Sequence, residues 1–288
     1  MADEQDFDAT AFKETMRDQW QRAAAAWHHW SPVLEAWLGP VTARMLDLAQ
    51  LGLGARVLDV GAGTGEPALS AAARVGPTGA VLATDISDNT LAFAGREARA
   101  RGLSEAAFRT QVMDGEHLSV ADASFDVALS RLGLIYFPDR VRGLTEMRRV
   151  LVPGGRAVVA SYTTPEANGF FSIPIRIIRR RVQLPAPSPG LPGPFSLGEQ
   201  VVMEQAYRQA GFRLSETHVV TAPLRLPSAA VCAQFERESF GALQQMLRGL
   251  PEHEQLEAWE EIEQALHQFE VPHGFEAPSE LRVGVGTS

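Results

Sequence analysis

Apolar positions recur at helical spacing near the start of the chain. Phe12, Met16, Trp20, Ala23, Ala24 and Trp27 share one face and predict an amphipathic helix over about 11–28, halted near Ser31 ahead of Pro32. Val33, Leu34, Trp37, Val41, Met45, Leu46 and Ala49 repeat the pattern over about 32–50, with Gly52 and Gly54 closing it. From Arg56 the rhythm changes to short branched apolar runs separated by helical stretches. RVLDV (56–60), AVLAT (80–84), AFRTQV (107–112), FDVAL (125–129) and RAVVAS (156–161) read as strands, with helices over about 65–75, 88–100 and 139–150 and a Pro153-Gly154-Gly155 turn before the last. That succession builds a parallel sheet through right-handed helical crossovers.

The regularity breaks over 163–198, where seven of the chain's 18 prolines fall, most of them in PAPSPGLPGP (185–194). Such a stretch reads as an insertion or lid and not as a sheet element. A helix over 199–210 then ends at Gly211, FRLSETHVV (212–220) reads as a strand, helices follow over about 228–248 and 253–270, and ELRVGV (280–285) reads as a last strand.

A chain of 288 residues buries a sizeable core without metal or disulfide, and its 45% hydrophobic and 21% charged residues exclude wholesale disorder. The single cysteine, Cys232, rules out an internal disulfide and a cysteine-cluster zinc site, and reads as a buried small hydrophobe in a reducing compartment. A net charge of −9 disfavours a nucleic-acid partner. The acidic opening MADEQDFDAT and the lack of an apolar run of about 18 residues lead us to expect a cytoplasmic protein with no membrane span.

The sharpest local feature is VLDVGAGTGE (57–66), an apolar strand running into three alternate glycines and then a helical pattern. Glycine there lets the backbone turn tightly and a ligand approach closely. A dinucleotide fingerprint needs Gly or Ala where this chain has Glu66, and a carboxylate beside a pyrophosphate opposes the pull of the helix N-terminus on that anion. A nucleoside without phosphates fits better. Asp85 ends the second strand, where a carboxylate can accept from both hydroxyls of a ribose; Ser87 and Asp88 are available to cap the next helix instead. Met113, Asp114, Gly115 and Glu116 end the third strand, with an apolar surface for a purine and an acceptor for its amine. Ser130 and Arg131 end the fourth strand, and Ser161 and Tyr162 the fifth. Polar or glycine residues thus stand at the carboxyl edge of all five strands, where open parallel sheets bind ligands.

As a set these residues resemble the class I S-adenosylmethionine-dependent methyltransferases. VLDVGAGTG is similar to that family's glycine motif, Asp85 to its ribose-holding acid, and Met113-Asp114-Gly115 to its adenine-contacting turn. FDVALSRLGLIYFPD followed by RVLVPGG is similar to the ubiquinone/menaquinone-biosynthesis type. The resemblance covers about residues 51–162. It implies S-adenosyl-L-methionine as cofactor, held by Asp59, Gly61, Ala62, Gly63, Asp85, Ile86, Met113, Asp114, Gly115 and Ser130. It also implies a Rossmann-like α/β fold with a seven-stranded, mostly parallel sheet in the order 3-2-1-4-5-7-6 and an antiparallel last strand. Residues 1–50 then form cap helices, 51–162 the cofactor-binding core, 163–198 a proline-rich lid, and 199–288 the completion of the core. The helices over 228–270 are inserted there to roof an acceptor pocket or form a homodimer surface.

Methyl transfer from such a cofactor needs an aligned acceptor and a dry site, with the reacting atoms at about 3–3.5 Å, and no covalent nucleophile. The seven histidines make no H-x-x-x-H or H-E-x-x-H pattern, so a metal is not expected. An acidic acceptor calls for a base, with His28, His29, Tyr162 and His218 as candidates. His28 is preferred because it lies nearest the face of Trp20 and Trp27, and His218 reads as a packed core residue. Trp27, with Trp20 and Trp30, offers an aromatic face to a sulfonium or an aromatic acceptor. The RIIRRR run (176–181) reads as a solvated face or as a contact for an acidic acceptor. These features lead us to expect transfer to carbon or oxygen of a small apolar metabolite. The alternatives are a cofactor-binding protein that transfers no methyl, an NAD(P) oxidoreductase, which Glu66 opposes, and a base methyltransferase. The last would carry D/N-P-P-Y/F where this chain has Ser130, Arg131, Leu132 and Gly133.

Overall fold

The computed structural model describes residues 7–185 and 190–288. Two helices open the chain, α1 (Ala9–His29) and α2 (Ser31–Leu48). The alternating core follows as β1 (Arg56–Val60), α3 (Ala68–Val75), β2 (Ala80–Asp85), α4 (Asp88–Ala100), β3 (Phe108–Val112), β4 (Phe125–Arg131), α5 (Arg140–Val150) and β5 (Leu151–Tyr162). The remainder is α6 (Gly169–Arg181), α7 (Gln200–Gln209), β6 (Arg213–Thr221), β7 (Leu224–Leu226), α8 (Ala229–Ser239), α9 (Gly241–Leu247), α10 (Glu252–Leu266), β8 (Glu270–Val271), β9 (Gly274–Ala277) and β10 (Glu280–Thr287).

Seven strands form one sheet in the order β3-β2-β1-β4-β5-β10-β6. The first five are mutually parallel, and β10 runs antiparallel between β5 and β6. With β10 as the seventh strand, this is the expected Rossmann-like order. Helices cover both faces, so the strands are apolar on both sides: Val57, Leu58, Val127, Ala128, Leu129 and Ala157 to Ala160 are all buried. Local chemistry sets the helix starts. Asp8 accepts from Thr10 N and Ala11 N at 3.0 Å to cap α1, and Ser87, Asp139 and Ser228 cap α4, α5 and α8.

Several expectations need correction. Pro153 to Gly155 make no separate turn; β5 leaves α5 directly and bulges there, its pairing with β4 jumping from Phe125–Leu151 to Val127–Arg156. The proline-rich stretch contains a full helix, α6, with Pro174 inside it. Residues 186–189 of PAPSPGLPGP, like 1–6 of the acidic opening, lie outside the described residues. The 228–248 helix is two helices, α8 and α9, parted at Phe240. A second, three-stranded sheet of order β7-β9-β8 was not expected at all. Its strands are two to four residues long, too short for an alternation to show.

His218 is not a core residue. It stands half-buried on the outermost strand β6, with Nδ1 2.8 Å from Arg44 Nη2 and Nε2 2.6 Å from Glu216 Oε2. Cys232 is fully buried on α8. No described helix is long and apolar enough to cross a membrane.

Candidate active site

The carboxyl ends of β1 to β5 open into a cavity of about 700 Å³. Gly61 follows β1, Asp85 ends β2, Met113 follows β3, Arg131 ends β4 and Tyr162 ends β5, and all five line it. The first wall is the glycine loop. Gly61 N and Ala62 N both donate to Thr84 O of β2, at 2.8 and 2.9 Å, which folds the loop back over the sheet. Gly61 has φ +76°, and a Cβ there would come within 3.1 Å of Gly133 Cα, so glycine is needed for both the turn and the close approach.

Asp85 is locked by the same loop. Its Oδ2 accepts from Gly63 N and its Oδ1 from Ser87 N, both at 2.9 Å. Burial raises its pKa, and these backbone donors offset only part of the rise. A carboxylate has about four acceptor positions, so the fixed group keeps acceptor capacity for a ligand. Ser87, not Asp85, caps α4. Ile86, Met113, Asp114 and Gly115 continue the lining on this side.

Two predicted residues do not reach the cavity. Asp59 alternates inward along β1 and is fully buried, with neither carboxylate oxygen meeting a hydrogen-bond partner. Burial pushes its carboxyl up to about 8, against the opposing pull of the Arg131 guanidinium. Ser130 faces away from its neighbour Arg131 and accepts from Leu134 N at 3.1 Å, fixing the short turn that carries Tyr136.

Pattern reading missed the clasps that join the N-terminal helices to this rim. Lys13 Nζ of α1 sits 2.6 Å from both Asp114 Oδ2 and Glu116 Oε2, and thereby fills the acidic cluster that these residues form with His117. Gln21 Oε1 accepts from Ser87 Oγ at 3.1 Å and Asn89 N at 3.0 Å, and its amide donates to Asp88. Arg101 ties Glu35 of α2 at 3.3 Å to Glu66 at 3.2 Å. Glu66 lines the cavity as an acid paired with Arg101, so its own charge is partly offset. Arg131 donates from Nη1 to Thr42 Oγ1 at 2.7 Å and from Nη2 to the Glu66 carbonyl at 3.1 Å.

The opposite wall is aromatic. Tyr136, Trp20, Trp27 and Phe240 run edge to face, with centroids 5.8, 5.4 and 5.9 Å apart along the series. Trp27 Nε1 donates to Ser239 O at 2.7 Å, which fixes its ring. Trp30 is outside this wall and donates to Glu238. His28 is exposed at the cavity's edge, stacked on Phe93 at 4.5 Å, and His29 lies beside it. Tyr162 is almost wholly buried, and burial raises its phenol well above the usual range. The RIIRRR run points elsewhere: Arg180 pairs with Glu261, and Arg181 with Glu261 and Glu257, all on α10.

Residues 58–159 match the family described as "Methyltransferase domain". The chain is 37% identical over 117 residues to the ubiquinone/menaquinone biosynthesis C-methyltransferase of Geobacter sulfurreducens, covering 41% of this chain and 45% of that protein. It is 37% identical over 139 residues to the demethylmenaquinone methyltransferase of Thermus thermophilus, covering 48% and 61%. The chain thus spans about half the length of the curated relatives it matches. A putative methyltransferase from Bacillus halodurans shares the fold, at TM-score 0.57 and 20% identity over 85% of this chain and 97% of that one. The strand order, the glycine loop and these relatives thus liken residues 58–159 to methyltransferase domains, and the shared fold extends over most of the chain.

Proposed function

We propose that this chain binds S-adenosyl-L-methionine along the rim of β1 to β4 and transfers its methyl group to carbon or oxygen of a small, largely apolar acceptor. The observation that carries this reading is one cavity with two unlike halves. Backbone amides, Asp85 and Met113 line the first, and the aromatic series Tyr136–Trp20–Trp27–Phe240 lines the second.

In this reading the glycine loop of Gly61, Ala62 and Gly63 carries the amino-acid end of the cofactor, with Asp59 beneath it. Asp85 accepts from the ribose hydroxyls, Ile86 and Met113 flank the purine, and Asp114 and Gly115 close around its edge. Ser130 acts through the turn it braces. The bound sulfonium supplies an already activated methyl group. The residues of this chain exclude water, orient the acceptor and balance charge. Five acids line the cavity (Glu35, Glu66, Asp85, Glu97 and Asp114) against three permanent cations (Lys13, Arg101 and Arg131), a balance that suits a cationic ligand. The ring of Trp27 faces the same space and adds a cation–π surface. His28 is the base assigned for a hydroxyl or acidic C–H proton.

A flat aromatic acceptor suits the aromatic wall and agrees with the quinone-biosynthesis names of the relatives. The test is incubation with methyl-labelled cofactor and a panel of hydroquinones, phenols and polyketide-like metabolites, read by mass spectrometry. Labelled product with release of S-adenosylhomocysteine is expected. Tight cofactor binding with no transfer to any acceptor class would contradict the transfer step. His28→Gln should lower the rate of transfer while leaving S-adenosylhomocysteine affinity unchanged.

A further inference from the structure

The end of α8 buries polar groups that the reading above does not use. Glu236 is fully buried with neither carboxylate oxygen partnered, and the hydroxyl of Ser239, one turn on, is likewise fully buried and unpartnered. An unmet buried carboxyl or hydroxyl is destabilising, so such groups in a folded protein call for an explanation. Their location supplies one. Phe240, whose amide donates to Glu236 O at 2.9 Å, lines the cavity, and so do Tyr162 and Trp27. Trp27 is tied to the backbone of Ser239 itself. The pair therefore stands directly behind the aromatic half of the cavity.

We propose that Glu236 and Ser239 form the polar anchor of the acceptor chamber, holding a hydroxyl or carbonyl oxygen carried by an otherwise apolar aromatic acceptor. This rests on the methyltransferase reading and specifies its substrate class. Desolvation holds the Glu236 carboxyl far above the usual carboxylate range, so it is protonated and presents one donor and one acceptor. Tyr162 and Cys232 are the titratable neighbours whose own ionisation Glu236 opposes, and both are neutral at pH 7. Phe240, not Glu236 or Ser239, lines the cavity in this structure, so the proposal requires the Glu236 carboxyl to turn past that ring to meet the acceptor. Glu236 is thus a positioning residue: it orients the ring, and the methyl group then meets the atom set by that orientation.

The test uses the whole chain saturated with S-adenosylhomocysteine, titrated with 1-naphthol or 1-methylnaphthalene and read by quenching of tryptophan fluorescence. The two probes share a ring system and differ in the oxygen. Wild type should prefer 1-naphthol by about fivefold to tenfold, the worth of one or two buried hydrogen bonds. Glu236→Leu should lose that preference, keep its affinity for 1-methylnaphthalene and melt no lower than wild type, and Glu236→Gln should retain part of the preference. Equal affinity of wild type for both probes, or no saturable binding of either, overturns the proposal. So does a Glu236→Leu variant that keeps the preference, or one that melts lower and weakens both probes alike. The melting shift given by S-adenosylhomocysteine alone reports on cofactor binding, so a failure there is separately visible.

Discussion

Lys13 Nζ and Asp114 Oδ2 meet at 2.6 Å across 101 residues of sequence, joining α1 to the turn that would contact a purine. The lysine is half-buried and also holds Glu116, so both acids are partly neutralised by a helix that covers the cavity. Burial holds the lysine's pKa down, but the two carboxylates win and leave it raised, while Asp114 is lowered by the same contact. A half-exposed pair of this kind contributes little to global stability. Its effect is local, on how firmly α1 is held.

Lys13→Ala should therefore leave the melting temperature within about 2 °C of wild type while α1 loosens. Hydrogen exchange should quicken in residues 9–20, and S-adenosylhomocysteine should dissociate several-fold faster. Unchanged exchange in α1 would show that the clasp is idle.

Asp85 is held by two backbone amides, and this reading gives it two ribose hydroxyls as well. Hydrogen bonds to a charged acceptor are worth about 1.5–3 kcal/mol each. Asp85→Ala should weaken S-adenosylhomocysteine binding by about a hundredfold or more in calorimetry, and with it the thermal shift of roughly 2.7 kcal/mol expected at hundredfold excess over Kd. A variant that binds as wild type does would remove the ribose assignment.

Asp59 gives the chain a pH signature. Its carboxyl stands at about 8 in the folded state against 3.8 in a free chain. Between those values the folded state keeps a proton that the unfolded chain has released. Stability from this group is therefore full below about pH 4 and is lost as pH rises through about 8. Asp59→Asn keeps the shape without the titration. In urea unfolding at pH 5 and pH 8, the variant should gain on wild type at the higher pH, and a difference independent of pH would contradict the assignment.

Gly61→Ala tests the loop itself. A left-handed residue other than glycine costs about 1–2 kcal/mol, and here the new Cβ also presses on Gly133 at 3.1 Å. A fall in melting temperature of several degrees is expected, with cofactor affinity reduced more than tenfold. Intact binding would mean that the loop tolerates displacement.

The sheet was legible because its strands are buried on both faces and read as unbroken branched runs such as AVLAT and RAVVAS. The rim of the cavity was legible for a related reason: its residues stand in sequence at strand ends. What the pattern hid depends on partners far apart in the chain. Nothing near Lys13 announces Asp114, and the alternation of β4 turned Arg131 to the cavity and Ser130 away from it. Proline density masked α6, whose Pro174 is tolerated among buried Phe170, Phe171, Ile177 and Ile178. The arginines after it looked free until α10 supplied Glu257 and Glu261. No motif in the sequence singles out Glu236, and only the packing of α8 reveals that it is buried.

A crystal structure of the chain soaked with S-adenosylhomocysteine tests the central claim most directly. The ribose hydroxyls should lie on Asp85, the purine beside Met113 and Asp114, and the sulfur should face the Trp20–Trp27–Tyr136 wall. A ligand that leaves Asp85 untouched, or a diphosphate seated in the Gly61–Gly63 loop, would contradict it.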